Sequence, residues 1–228
     1  MKSLLEIFYS PGAVFAGLPE RRAAWIAPLI ANCLVILLMT VLVPHYLGRA
    51  NMMRRQLENL HLPSERVEAA IAGANSPGRV IGGYVGAVVA TAVVLLVIAG
   101  VMFAFGLMTR RAPRFATMFS MVSLAFFPYW LVTTLMTAAV LMTAADPAAL
   151  DAQNLLATNA GAYMDRNALA KGLYSLMTSL DVLSFVEIGL LSYGFAKVTR
   201  VSVFYGLAAV LGLWLLYVST KMAISLMM

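Results

Sequence analysis

Apolar residues in this chain come in long runs and not in alternation. From Ala23 to Val43, from Val80 to Met108 and from Phe115 to about Ala145 there is no charged residue at all. Two further runs, Gly172 to Ala196 and Val201 to Met228, are interrupted by Asp181 and Glu187 in the first and by Lys221 in the second. A hydrocarbon layer of roughly 30 Å needs about 20 mostly apolar helical residues. A membrane β-barrel needs alternating faces, whereas stretches such as Ala90 to Val101 leave no polar face. The pattern predicts an all-α, polytopic integral membrane protein of one domain. Its five spans are expected at about 23–43, 80–108, 115–145, 172–196 and 201–228.

Composition closes off the soluble classes. Of 228 residues 62% are hydrophobic and 11% charged, and the mean hydropathy is +0.87. A soluble domain carries about 25% charged residues, so this chain cannot cover a folded body in water. The polar remainder is scattered in pieces too short for a separate catalytic domain. The single cysteine, Cys33, excludes an intramolecular disulfide. No phosphate-binding loop, dinucleotide fingerprint or hydrolase elbow is present. Met118 and Met121 stand three apart in the third span with the other methionines mostly scattered, and His45 and His61 have no second ligand pair beside them, so no metal, cofactor or enzymatic activity is expected. Exposed cations interleaved with aromatic residues are also missing, which argues against nucleic acid.

Charge sets the expected orientation. Lys2, Arg21, Arg22, Arg110, Arg111, Arg114, Lys197 and Arg200 crowd into the N-terminal segment and two short turns, so those sides are expected to be cytoplasmic. The loops 44–79 and 146–171 are expected outside, with the C-terminus. The uncharged run after Arg22 is too long for a cleaved secretory signal, which makes the first span a retained anchor. Residues 1–22 mix Leu4, Leu5, Ile7, Phe8, Val14 and Phe15 with few charges and are expected at the interface. Ser10-Pro11 reads as a cap with proline in the first turn. Small helical hairpins are expected in both outer loops: pieces near Gly48 to Leu60 and Pro63 to Ala72 in one, and a helix from Asp146-Pro147 to about Ala157 in the other. Arg49, Arg54 and Arg55 form a candidate contact for anionic lipid or a partner protein.

Charges at membrane depth usually have a partner and often a role. On the fourth span Tyr174, Thr178, Asp181, Ser184 and Glu187 are expected to fall on one slanted stripe. Counting about 1.5 Å per residue places Asp181 and Lys221 at similar depths, roughly 10–13 Å from the outer helix ends, and Glu187 level with Asn32. A polar cluster of Asp181, Ser184, Glu187, Lys221 and Asn32 follows, with Asp181 paired to Lys221 and Glu187 to Asn32. Gly82, Gly86 and Ala90 give the second span a small-residue seam for helix packing or for a homo-oligomer. Pro128 is expected to kink the third span.

Several of these segments carry a family pattern. Arg114-Phe115 leads through Ser123-Leu124-Ala125-Phe126-Phe127-Pro128 to Tyr129-Trp130. Leu180-Asp181-Val182-Leu183-Ser184-Phe185 is followed by Gly189 to Gly194, Lys197-Val198-Thr199-Arg200 and Gly206 to Trp214, and the chain opens with Phe8-Tyr9-Ser10-Pro11-Gly12-Ala13-Val14-Phe15. Over most of its length outside the two long loops the sequence resembles the bacterial Yip1 family. The resemblance implies a five-helix membrane bundle with a cytosolic N-terminus, and some bacterial members accompany ABC efflux systems. The Asp-Leu-Tyr-Gly-Pro element of the eukaryotic, GTPase-binding relatives is absent, and Glu187 stands where many bacterial members have an apolar or tryptophan residue.

The function expected is that of a non-enzymatic multi-pass protein of the bacterial inner membrane, binding a partner such as an ABC transporter, organising lipid or assisting transport. The alternative is a small secondary transporter or ion or proton pathway using Asp181, Glu187 and Lys221. Five spans do not divide into two equal repeats, which weighs against it.

Overall fold

A computed structural model describes residues 2–20, 23–58, 63–150, 154–165 and 168–227. Arg21, Arg22 and His61 lie outside the described residues. The protein is an all-α polytopic membrane protein, and five of its helices are long and apolar enough to span a bilayer. They are α3 (Ile26–Leu47), α6 (Pro77–Met108), α7 (Phe115–Thr143), α9 (Val182–Thr199) and α10 (Val203–Met227). The shorter helices are α1 (Lys2–Glu6), α2 (Pro11–Ala16), α4 (Arg49–Glu58), α5 (Ser64–Ala72) and α8 (Lys171–Met177).

The centre of the bundle is α7. It packs on α3, α6 and α9, and α9 packs in turn on its antiparallel successor α10. Met118, Met121, Val122, Leu124 and Ala125 on α7 are fully buried with Leu95, Ala99 and Met102 of α6 and Phe195 of α9. In a bilayer such contacts are held by close packing, since lipid is as apolar as the core. Glycine supplies the closest approach: a Cβ at Gly206 on α10 would collide with the Ser192 carbonyl of α9. Pro128 is buried inside α7, which nevertheless continues as α-helix to Thr143. The first outer loop was expected to begin at residue 44, but Pro44 is likewise inside α3; the helix stops only at Gly48, whose φ of 79° favours glycine.

One end of the bundle gathers the Arg110–Arg114 and Lys197–Arg200 turns, the N-terminal segment and the start of α3. This is the basic end. The N-terminal segment does more there than lie on the surface. Ile7, Phe15 and Leu18 are at most 1% exposed, whereas Leu5 and Tyr9 face outward. Phe8 meets Phe127 edge to face with ring centroids 6.1 Å apart. Gly12 abuts the Tyr193 hydroxyl, and Phe15 fills the space left by Gly194. The segment is a plug held by α7 and α9.

At the opposite, loop end, α4 and α5 form the expected hairpin of the first loop. The second loop differs from expectation. Asp146 does cap a turn, accepting from Ala148 N–H at 3.1 Å, but among the described residues up to Ala157 a 3-10 turn at Pro147–Ala149 stands where a helix was expected. A second 3-10 turn covers Ala160–Tyr163.

Candidate functional site

The fourth apolar run is not one helix. Thr178 and Ser179 turn their hydroxyls back onto the Ser175 carbonyl, at 2.9 and 2.8 Å, which ends α8. Such local side-chain bonds compete with the helical ladder. Asp181 then opens α9 as its N-cap, with Oδ1 accepting from Leu183 N–H at 2.7 Å and Ser184 N–H at 3.4 Å. A cap of this kind satisfies donors that the first turn leaves free.

The second outer loop is stitched onto this break. Asp181 Oδ2 accepts from the Thr158 hydroxyl at 2.8 Å. Val182 N–H reaches the Thr158 carbonyl and Ala160 N–H the Leu180 carbonyl, both at 3.1 Å, making an antiparallel bridge between Asn159 and Asp181. Gly161 sits flat on Thr178, where a Cβ would come within 2.5 Å of Cγ2. From the other side Lys221 of α10 donates to Thr178 Oγ1 at 2.9 Å and Ser179 Oγ at 3.0 Å. Asp181 and Lys221 therefore belong to one knot, but no ion pair joins them: a direct pair was expected, and serine and threonine hydroxyls take its place.

Both groups also sit nearer the membrane rim than expected. With α9 starting at Asp181, its 18 residues span only about 27 Å. Lys221, 18 residues into α10, lies about 27 Å from the basic end as well. Both groups are at the rim of a hydrocarbon layer of roughly 30 Å, not well inside it. The expected pair of Glu187 and Asn32 fails because the two lie at different depths: Glu187 is about 18 Å from the basic end and Asn32 about 9 Å. Asn32 instead donates to the Ser123 carbonyl of α7 at 2.7 Å, fully buried, while its Oδ1 and the Ser123 hydroxyl have no partner.

Among the described residues Glu187 is the one carboxylate within a spanning helix. Its Oε1 is buried without a hydrogen bond, and so is the Thr133 hydroxyl of α7. Tyr129, next to Pro128, comes against Ser184 with Glu187 beside it. Of the five residues expected to cluster, the structure keeps Asp181 with Lys221 at the rim, Ser184 with Glu187 one to two turns deeper, and Asn32 apart. Sequence reasoning missed Thr158, Ser179, Tyr129 and Ser123. Ser179-Leu180-Asp181 ahead of an apolar run is a helix-start signal that pointed to the break.

Two other expectations change. Nothing in the protein comes within 4 Å of a Cβ built at Gly82 or Gly86, so the seam with Ala90 packs no helix of this chain. Arg49 and Arg55 are engaged by groups of the protein itself. The Arg49 guanidinium donates to the Tyr84 hydroxyl at 2.7 Å and lies over its ring, and Arg55 donates to the Leu150 and Ala148 carbonyls at 2.7 and 2.8 Å. Only Arg54 of the three remains a simple exposed cation. Among the described residues no three His, Cys, Asp or Glu converge. Comparison with protein-family models, curated proteins and solved structures finds no match for this chain.

Proposed function

We propose that this multi-pass membrane protein is of the bacterial Yip1 type and is not an enzyme, acting in the inner membrane as a partner-binding, lipid-organising or transporter-accessory module. The observation that carries the reading is the use made of Asp181 and Lys221. One caps a helix and ties down a loop, the other bonds two hydroxyls that end a helix, and both roles are architectural. A cytoplasmic N-terminus is supported by the density of Lys and Arg in the N-terminal segment and the two short turns of the basic end. Mild cross-linking in native membranes, followed by purification and mass spectrometry, tests it. A stoichiometric membrane partner, an ABC transporter for example, is the expected result; a chain recovered alone that drives solute or proton flux in proteoliposomes overturns it.

One observation favours a second reading, a small secondary transporter or proton pathway. Glu187 Oε1 is buried at membrane depth with no donor, beside Tyr129 and Ser184. Intramembrane carboxylates often mark ion routes. Flux that is present in the native protein and lost in Glu187→Gln would establish this reading.

A further inference from the structure

The basic end holds a charged surface that the packing leaves open. Arg110, Arg111, Arg114, Lys197 and Arg200 are all exposed. Arg111 donates to the Arg200 carbonyl at 2.9 Å, which draws the α6–α7 loop against the α9–α10 turn and makes one surface of their cations. Neither turn contains an acid: the sequence has none between Glu68 and Asp146 and none after Glu187, and the acids of the N-terminal segment at this end are Glu6 and Glu20. At the N-terminus Lys2 has its own partner in Glu6, at 3.4 Å.

The two turns also keep arginine where the backbone favours glycine. Arg110 has φ of 56° and Arg200 φ of 58°, each just past a helix end. The left-handed conformation is unfavourable for a residue with a Cβ, and glycine is the usual solution at this position. Each turn accepts that strain and holds a cation at the level where the spans leave the hydrocarbon. The side chains of Arg110, Arg114 and Arg200 have no partner among the described residues, unlike Arg49 and Arg55 at the loop end.

We propose that this surface binds the phosphodiester headgroups of anionic phospholipid, with Arg110, Arg114, Lys197 and Arg200 supplying the charge and the Arg111 bond setting their spacing. The inference rests on membrane insertion alone and names a ligand and a face that the reading above leaves open. Phosphate is a fitting anion because guanidinium presents paired donors to its oxygens.

The test uses the full chain in mixed micelles of phosphatidylcholine doped with phosphatidylglycerol, read by native mass spectrometry for retained lipid and by thermal unfolding. Phosphatidylglycerol should be retained selectively and raise the unfolding temperature by about 2–4 °C. Glycine suits both turns, so Arg110→Gly with Arg200→Gly keeps the fold. At about fivefold in affinity per cation, that double variant should bind phosphatidylglycerol roughly 25-fold more weakly. Arg114→Gln provides a loss of about fivefold outside the strained positions. Arg54→Gln, at the other end, should bind normally. Unchanged lipid retention in both basic-end variants, or an equal loss in Arg54→Gln, overturns the proposal. Inorganic phosphate at matched concentration should not shift unfolding; if it reproduces the whole effect, the surface is a site for free anions and the lipid assignment is wrong.

Discussion

Lys221 of α10 reaches across to Thr178, 2.9 Å from ammonium to hydroxyl, and so fastens the last helix to the point where the fourth apolar run breaks. Thr178 and Ser179 donate onward to the Ser175 carbonyl. The charge thus sits at the head of a short hydrogen-bonded chain, and Asp181, two residues on, is occupied with Thr158 and its own helix.

The first prediction follows from that separation. Lys221→Met removes two charge-assisted bonds and should lower stability by about 1.5–3 kcal/mol. Asp181→Ala removes a cap and should lower it by about 1–2 kcal/mol. Had the two formed a buried pair, breaking it would cost roughly 3–5 kcal/mol and the double substitution would recover much of the loss. The expected coupling is about 1 kcal/mol or less, because they share a knot but no contact. Thermal unfolding of the four proteins in one detergent measures it, and recovery of more than about 2 kcal/mol would put the pair back.

Glycines supply the second prediction. A Cβ at Gly206 runs into the Ser192 carbonyl, which is backbone and cannot swing aside, so Gly206→Ala should lose about 1–3 kcal/mol. Gly86→Ala meets nothing within 4 Å and should gain about 0.5–1 kcal/mol as a helix-interior glycine replaced by alanine. Equal unfolding temperatures for the two variants would contradict the packing of α10 on α9.

What the sequence made legible, and what it hid, divides along the same physical line. Span number follows from apolar run length, and a long run without charge has few alternatives in lipid, so α6 and α7 begin or end within a few residues of expectation. Depth does not follow from run length. Thr178 to Leu180 is apolar enough to pass as helix, yet two hydroxyls and an aspartate there can satisfy backbone groups locally, and the break moves Asp181 and Lys221 to the rim. Partners were harder still. The Gly82, Gly86 and Ala90 spacing reads as a seam from any sequence, but whether a helix arrives to fill it depends on the whole bundle. Gly206, without a clean motif, is a glycine that packs helix against helix.

Orientation gives a third prediction. With Cys33→Ala as background, cysteines at Ala112 and Asn154 should be labelled from opposite sides by a membrane-impermeant maleimide. Ala112 lies between the arginines of the basic end and Asn154 in the loop stitched over α9, and the single span between them, α7, places the two at opposite ends. Labelling of both from one side would remove the five-span topology.

The fourth concerns the loop clamp. Arg55 holds the Ala148 and Leu150 carbonyls from 2.7–2.8 Å, an exposed contact whose loss should change global stability by about 1 kcal/mol or less. Its effect should be local. Arg55→Ala is expected to speed proteolysis near Leu150 while the unfolding temperature barely moves; unchanged cleavage would show that the 3-10 turn at Pro147–Ala149 holds the loop unaided.

The last prediction uses Glu187, whose position argues for a stability effect opposite in sign to most substitutions. A buried polar atom without a partner carries its desolvation penalty uncompensated, about 1–3 kcal/mol. Glu187 Oε1 is in that state. Methionine has nearly the same length and would fill the same space between α9 and α7 with no polar atom to satisfy. Glu187→Met should therefore raise stability by about 1–3 kcal/mol, while Glu187→Gln, which keeps an amide to be satisfied, should change it less. A fall in unfolding temperature on Glu187→Met would mean that the carboxyl makes a bond in the membrane that the chain alone does not provide, to water, to lipid or to a partner. A rise accompanied by lost flux in proteoliposomes would identify a group kept for its chemistry at the expense of the fold, and would move the transporter reading ahead of the accessory one.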